Sequence, residues 1–298
     1  MDEFALIDRI ISQLGERAQG RWVSLGPGDD AAVIDPSPRC QAVASIDTLV
    51  AGRHFPADAP AQFIGYRAMM VSLSDLAAMA ATPRYVLIAL TLPNADVAWV
   101  EAFAAGVHEA AVITDVYVCG GNLAQGPLSI TVSVHGEVPT GAALTRSGAR
   151  PGDGLFVSGD LGGAAACVRQ QDWFFKAPLS VQQRGYLRPQ ARFDLCDILR
   201  RAATAAIDVS DGLLADLTHL CRASAVGARL ETALLPIVPD ALLEDALYGG
   251  DDYQILCAAP ADELPPFTRI GTVMPQAGIW MDGQQVSPRG YDHFSVTT

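Results

Sequence analysis

Leu128-Ser129-Ile130-Thr131-Val132-Ser133-Val134-His135 alternates apolar and polar residues without a break. A period of two belongs to a strand with one face in a core and the other turned outward. The polar face of 128–135 is therefore left for solvent, a ligand or a second copy of the chain. On its N-terminal side, 41–46 and 85–92 also read as strands, a helical stretch opens after Pro60 and continues to about residue 81, and a second helix covers 96–112. Phe4, Ile7, Ile11 and Leu14 fall at helical steps and give 2–14 one apolar face. On its C-terminal side, Ala149-Arg150-Pro151-Gly152-Asp153 stops the pattern, since Pro and Gly end regular structure, and a fresh strand begins at 155–158. The boundary between two domains, 1–148 and 149–298, is placed there. The second half reads as a strand running into Gly159-Asp160-Leu161-Gly162-Gly163, helices across 164–201, a strand ending at Ile207 and a helix from Gly212. Strands near 228–231, 253–258 and 267–273 follow, with a hairpin turn at Asp282-Gly283. Strands and helices mix in both halves, which makes the class α/β or α+β.

A chain of 298 residues fits two domains of roughly 150 residues each and can bury a sizeable core without disulfides. Half of the residues are hydrophobic and the net charge is −13, a balance that excludes disorder and gives a nucleic-acid partner no footprint. Lys176 is the single lysine among 20 basic residues. It lies in neither a P-loop nor a kinase strand motif, so a phosphate must be met by Arg, backbone amides or metal. Six scattered cysteines with no Cys-x-x-Cys, an acidic Met-Asp-Glu start and no apolar run of membrane length point to a reducing, cytoplasmic setting without a membrane partner or structural zinc.

The informative residues are aspartates beside Gly or Ser at strand ends and turns: Gly28-Asp29-Asp30, Ser45-Ile46-Asp47, Ser74-Asp75, Ile207-Asp208-Val209-Ser210-Asp211-Gly212 and Gly249-Gly250-Asp251-Asp252. Each alone could be a helix cap or turn former. Together, without lysine, they would repel one another unless a cation intervened, and oxygen-only donors select magnesium, calcium or manganese. Asp75 carries the most weight, because it interrupts an apolar helical stretch where an unpaired charge is costly. Gly26-Pro27-Gly28-Asp29-Asp30-Ala31 matches a dinucleotide fingerprint in form only, since two carboxylates after the second Gly would repel a pyrophosphate. Gly159–Gly163 reads equally as a helix start offering amides to a phosphate or as a plain tight turn. The five histidines have no metal-ligand spacing; His54 follows a glycine-broken loop that can fold over a ligand or lie on the surface.

In order, Gly26-Pro-Gly-Asp-Asp-Ala-Ala-Val33, Ser45-Ile-Asp-Thr-Leu-Val-Ala-Gly-Arg-His-Phe55, Ser72-Leu-Ser-Asp-Leu-Ala-Ala-Met79, Gly120-Gly-Asn-Leu-Ala-Gln-Gly-Pro127, Ala143-Leu-Thr-Arg-Ser-Gly-Ala-Arg-Pro-Gly-Asp153, Ile207-Asp-Val-Ser-Asp-Gly-Leu213, Gly249-Gly-Asp-Asp-Tyr253 and Gly290-Tyr-Asp-His-Phe294 resemble the thiamine-monophosphate kinase family of the AIR-synthase-like superfamily. The resemblance implies a dimerising N-terminal domain, a C-terminal domain closing the cleft, and ATP-dependent phosphorylation of thiamine phosphate. By position it implies a magnesium set of Asp30, Ser45, Asp47, Asp75, Asn122, Asp208 and Asp211, with Asp30, Asp75, Asp211 and Arg146 central to catalysis. Gly121, Asn122, Arg146 and Ser210 would meet ATP, and His54, Asp251 and Tyr291 would meet thiamine phosphate. The chain departs from the family at Asn122, where a carboxylate is usual, at Ile46, where a hydroxyl residue is usual, and at Asp251, which stands for Glu. The alternatives are another ATP-dependent AIR-synthase-like enzyme and a non-catalytic binder of thiamine phosphate or nucleotide.

Overall fold

The computed structural model describes residues 3–171, 178–287 and 290. By internal contacts the chain divides into one unit of Met1–Leu76 with Ala81–Ala142 and another of Ala77–Ala80 with Ala143–Thr298.

The first unit contains α1 (Glu3–Leu14), β1 (Val23–Leu25), β2 (Val33–Ile34), β3 (Cys40–Val50), α2 (Ala61–Ala78), β4 (Thr82–Leu92), α3 (Val97–Thr114), β5 (Tyr117–Gln125) and β6 (Ser129–Pro139). Its four-stranded sheet runs β3-β6-β4-β5, antiparallel except for the parallel β4–β5 pair. The alternating segment is β6, in which Ile130, Val132, Val134 and Val138 are buried while their neighbours stay partly exposed. On β3 the same alternation turns Val43 and Leu49 inward and leaves Ile46 63% exposed. Helices α2 and α3 cross closely because Gly65 lies against Phe103 O and Gly106 against Gln62 O, where any Cβ would collide with backbone. Helix α3 has a membrane span's length and a mean hydropathy of 1.3, yet Val100, Phe103, Ala104, Val107, Ala110 and Ala111 are buried within the fold. Asp96 caps it by accepting from Trp99 N at 3.2 Å.

The second unit contains β7 (Gly154–Val157), α4 (Gly163–Gln170), α5 (Val181–Leu187), α6 (Cys196–Ala202), β8 (Ala205–Asp208), α7 (Leu213–Ser224), β9 (Gly227–Leu230), α8 (Leu243–Tyr248), β10 (Ile255–Ala259), β11 (Thr268–Met274), β12 (Gly278–Met281) and β13 (Gln284–Val286). They form a seven-stranded sheet of order β13-β12-β9-β11-β7-β10-β8. β7, β8 and β10 are buried along their whole length, so they are short continuous apolar runs instead of alternating ones. Leu155, Val157 and Ile207 join one core with Leu213, Leu217 and Leu220 of α7. Phe156, Ala206 and Cys257 join a second with Cys196 and Leu199 of α6. Packed on both faces, β8 ends at Asp208, and the next residues form the loop into α7. Asp282 at φ 49° and Gly283 at φ 83° make the β12–β13 hairpin turn. The architecture is mixed, two units each with a sheet and its own helices.

Candidate active site

In the first unit the alternation of β3 puts Ser45 and Asp47 on the same side as Val43 and Leu49. Ser45 Oγ donates to Asp75 Oδ2 at 2.5 Å, so the acid that interrupts the apolar stretch of α2 is half-buried with a hydroxyl partner. Asp30 is exposed in the β1–β2 connection, its N–H on Asp29 Oδ1 at 2.8 Å. No helix follows Ala31; β1 pairs antiparallel with β2, which removes the dinucleotide fingerprint. After β3, Gly52 at φ 75° turns the chain so that Val50 N donates to His54 Nδ1 at 3.0 Å. With Nδ1 accepting, the neutral imidazole carries its proton on Nε2.

Asn122 lies elsewhere in this unit. The register aligns Asp47, Val132, Ile88 and Gly121 in one row and Thr48, Thr131, Ala89 and Asn122 in the next. Asn122 is therefore on the sheet face opposite Asp47, and β3 and β5 are the two edges of the sheet. At the usual spacing between strands the two edges stand about 14 Å apart. Within one chain Asn122 and Asp47 cannot share an ion, and Ile46 points away from Asp47 as well.

In the second unit, Asp208-Val209-Ser210-Asp211 leaves β8 and is held from two sides. Asp216, on α7 and only 2% exposed, accepts from Ser210 N and Asp211 N through Oδ2, each at 3.0 Å. From the other side the loop after α8 donates Asp251 N to Ser210 O at 2.8 Å and Tyr253 N to Val209 O at 2.9 Å. That second loop is strained: Gly250, Asp251 and Tyr253 have φ of 68°, 65° and 51°. Burial first, then the charges of Asp208 and Asp211, push the Asp216 carboxyl up to about 8. Asp208 and Asp211 thus oppose the ionisation of Asp216.

Gly159–Gly163 does not serve a phosphate. Both carboxylate oxygens of Asp252 accept from Gly162 N at 2.9 Å, and the Gly163 and Ala164 amides also bond this carboxylate, so the start of α4 is closed by the chain itself. Arg146 is exposed, its backbone fixed by Ser224 Oγ donating to Arg146 O at 2.9 Å. Gly290 lies against Ala215 Cβ and Asp211 O; Tyr291 is outside the described residues. Among the described residues no three His, Cys, Asp or Glu side chains form a ready metal-ligand group. Sequence reading did not single out Asp216, although its signal was available: like Asp75, it interrupts an apolar face, that of Leu213, Leu217 and Leu220.

Residues 28–138 match the model of the AIR synthase related protein N-terminal domain, and 150–271 that of the C-terminal domain. The thiamine-monophosphate kinase of Escherichia coli strain K12 is 38% identical over 99% of this chain and 98% of its own length. The chain belongs to the thiamine-monophosphate kinase family. The crystal structure of the thiamine-monophosphate kinase from Stenotrophomonas maltophilia K279a superposes with a TM-score of 0.86 at 40% identity, covering 96% of this chain and 98% of that one. A second member of the family, described as AaThiL complexed with AMPPCP and TMP, gives a TM-score of 0.81 at 32% identity over 98% of this chain and 97% of its own.

Proposed function

We propose that the chain transfers the γ-phosphoryl group of ATP to thiamine phosphate, yielding thiamine diphosphate. The observation that carries this reading is the end-to-end likeness to a family structure holding an ATP analogue together with TMP. The acceptor phosphate has its second pKa near about 6 and is already nucleophilic at neutral pH, so no general base is required. What the reaction requires is neutralisation of two polyphosphates meeting in line.

Asp30, Ser45, Asp47 and Asp75 of the first unit and Asp208 and Asp211 of the second would hold magnesium, which supplies that neutralising charge when bound. The donor set fits: every side chain in it presents oxygen, the donor a hard cation takes. Gly121, Asn122, Arg146 and Ser210 meet ATP in this reading. His54 offers its Nε2 proton to the acceptor phosphate, Asp251 opposes the thiazolium charge one methylene shorter than the family's Glu, and Tyr291 supplies an aromatic face.

The working form is a homodimer. The outer face of the four-stranded sheet leaves Ile46, Val50 and Leu87 exposed at 63%, 39% and 38%, more apolar surface than a lone sheet face favours. Pairing of two such faces would cover this apolar surface. Six free cysteines and a net charge of −13 support a reducing cytoplasmic setting with no nucleic-acid partner.

The test is a coupled assay for ADP with thiamine phosphate and magnesium. Turnover supports the reading. Turnover only with a phosphoribosyl-amidine acceptor assigns the chain to cyclase chemistry, and thermal stabilisation by thiamine phosphate without turnover makes it a binder.

A further inference from the structure

We infer that His135 makes the meeting of two copies across the four-stranded sheet sensitive to acid: neutral imidazoles let the two outer faces close, and protonation parts them. The inference rests on the homodimer proposed above. Charge is what selects a second copy as the occupant of this face. The chain carries −13, so copies repel one another except where a surface is neutral. The middle of the outer face is such a surface: Ile46 and Thr48 of β3, Ser133 and Thr131 of β6, and Leu87 and Ala89 of β4 lie side by side in the register, none of them charged. His135 stands in the adjoining row, between Ala44 and Tyr85. Half-buried, it stacks on the Tyr85 ring with centroids 4.5 Å apart and planes 7° from parallel, and its Nε2 shares a hydrogen bond of 2.9 Å with Ser133 Oγ. A hydroxyl can donate to the neutral ring or accept from the protonated one, so within one chain either form keeps this partner. β3 faces the ring with Ala44 and no titratable group. β4 brings Tyr85, and β6 brings Glu137 two residues on, its charge answered by Arg84 of β4 at 2.9 Å. Past Tyr85, β5 brings Tyr117, which the Arg17 guanidinium overlies at 5.4 Å, and Cys119. Burial already holds the His135 imidazole below its ordinary value, and a facing copy would take the remaining water from it, so the charged form is the one a dimer excludes.

The sign separates this device from a general charge effect. Acidification titrates carboxylates, lowers the net charge and draws copies together, whereas His135 parts them. Each copy contributes one imidazole, so association is full above the imidazole's value in the lone chain and is lost as pH falls through it. The test is sedimentation equilibrium of full-length wild type, His135→Gln, His135→Phe and Ile46→Asp at about pH 7.5 and about pH 5.0, on either side of the ordinary imidazole range. The wild-type dimer dissociation constant should rise roughly 5-fold or more at the lower pH. Gln, which keeps a hydrogen-bonding group for Ser133, and Phe, which keeps a ring on Tyr85, should dimerise at both pH values with no weakening, and Phe supplies the comparison should Gln not fold. Ile46→Asp, which sets a charge in the middle of the face, should be monomeric at both. A wild-type constant that is equal or tighter at the lower pH, or variants at His135 that weaken as wild type does, overturns the inference and leaves the dimer standing. Wild type that is monomeric at both pH values, or an Ile46→Asp variant that dimerises like wild type, overturns the sheet-face dimer itself, and the inference with it.

Discussion

Gly250→Ala tests whether the strained loop after α8 holds the acidic loop in place. Gly250 has φ 68°, and a Cβ built there would lie 2.4 Å from Ser210 O and 2.9 Å from Asp211 C, against the 3.0 Å below which such contacts are essentially never found. The two loops must therefore part by about 0.6 Å, a distance set by the 2.4 Å contact. Because Asp251 N bonds Ser210 O at 2.8 Å, the shift passes into the segment that aims Asp208 and Asp211. Displacements near 1 Å at a reacting centre can cost roughly 100-fold in rate, so turnover with ATP and thiamine phosphate should fall by roughly 10- to 100-fold. The left-handed backbone adds about 1–2 kcal/mol of strain, which lowers the melting temperature by roughly 2–8 °C for a unit of this size. Gly283→Ala is the matched control: φ is 83° and nothing lies within 4 Å of the added Cβ, so it carries similar strain with no displaced loop. The assay is steady-state ADP release beside a thermal melt for both variants. Equal turnover in the two would refute the argument, since strain alone would then explain everything Gly250→Ala does.

Asp75→Asn and Asp211→Asn should each lower kcat at least 100-fold while leaving circular dichroism unchanged, because they remove charge that bound metal uses; near wild-type rates in both would remove the metal set. Asn122→Asp should lower the magnesium concentration for half-maximal activity, a carboxylate being the stronger ligand for a hard cation, and superimposable titrations would take this position away from the metal. Arg84 Nε and Nη2 donate to Glu137 Oε1 at 2.9 and 2.5 Å. Burial raises the Glu137 carboxyl, but bonds from Ser37 and Arg84 and the guanidinium charge outweigh it and hold the group below its ordinary value. Glu137→Gln should therefore cost about 2 kcal/mol in urea unfolding at neutral pH, and the difference from wild type should shrink as pH falls through the depressed carboxyl value, since the paired carboxylate stabilises only while ionised. Burial pushes the Cys119, Cys196 and Cys221 thiols up to about 11 and Cys257 to about 12. Brief alkylation of the native protein at neutral pH should therefore label Cys40, the partly exposed thiol, before any of the others; fast labelling of Cys257 would contradict the packing of β10.

Periodicity made α2, α3 and β6 legible, because each buries one face or all of itself in a pattern the sequence displays. β5 was not legible: Gly120-Gly121 gives a strand no side chains to alternate, and it is fixed by pairing with β4, whose partner residues such as Tyr85 for Tyr117 and Ile88 for Gly121 lie far upstream. The same limit governed the site. Asp75 announced itself by breaking an apolar run, whereas the placement of Asn122 on the far edge from Asp47 follows from strand order, which no local pattern encodes. The start of α4 was open to two readings because its occupant, Asp252, is 90 residues away in the chain.

That occupant bears on the economy of the cell as well as on the fold. A kinase that greets nucleotides with a lysine loop or an open helix start keeps a grip on phosphate that is its own. Here the amides at the start of α4 are spent on Asp252, the single lysine lies in no phosphate motif, and the chain as a whole carries −13. In the proposed reading, recognition of polyphosphate falls to arginine and to ions drawn from solution, which would make the rate of coenzyme supply a function of the free divalent ion pool. Chelators, including ATP itself in excess over magnesium, would then act as inhibitors without touching the protein.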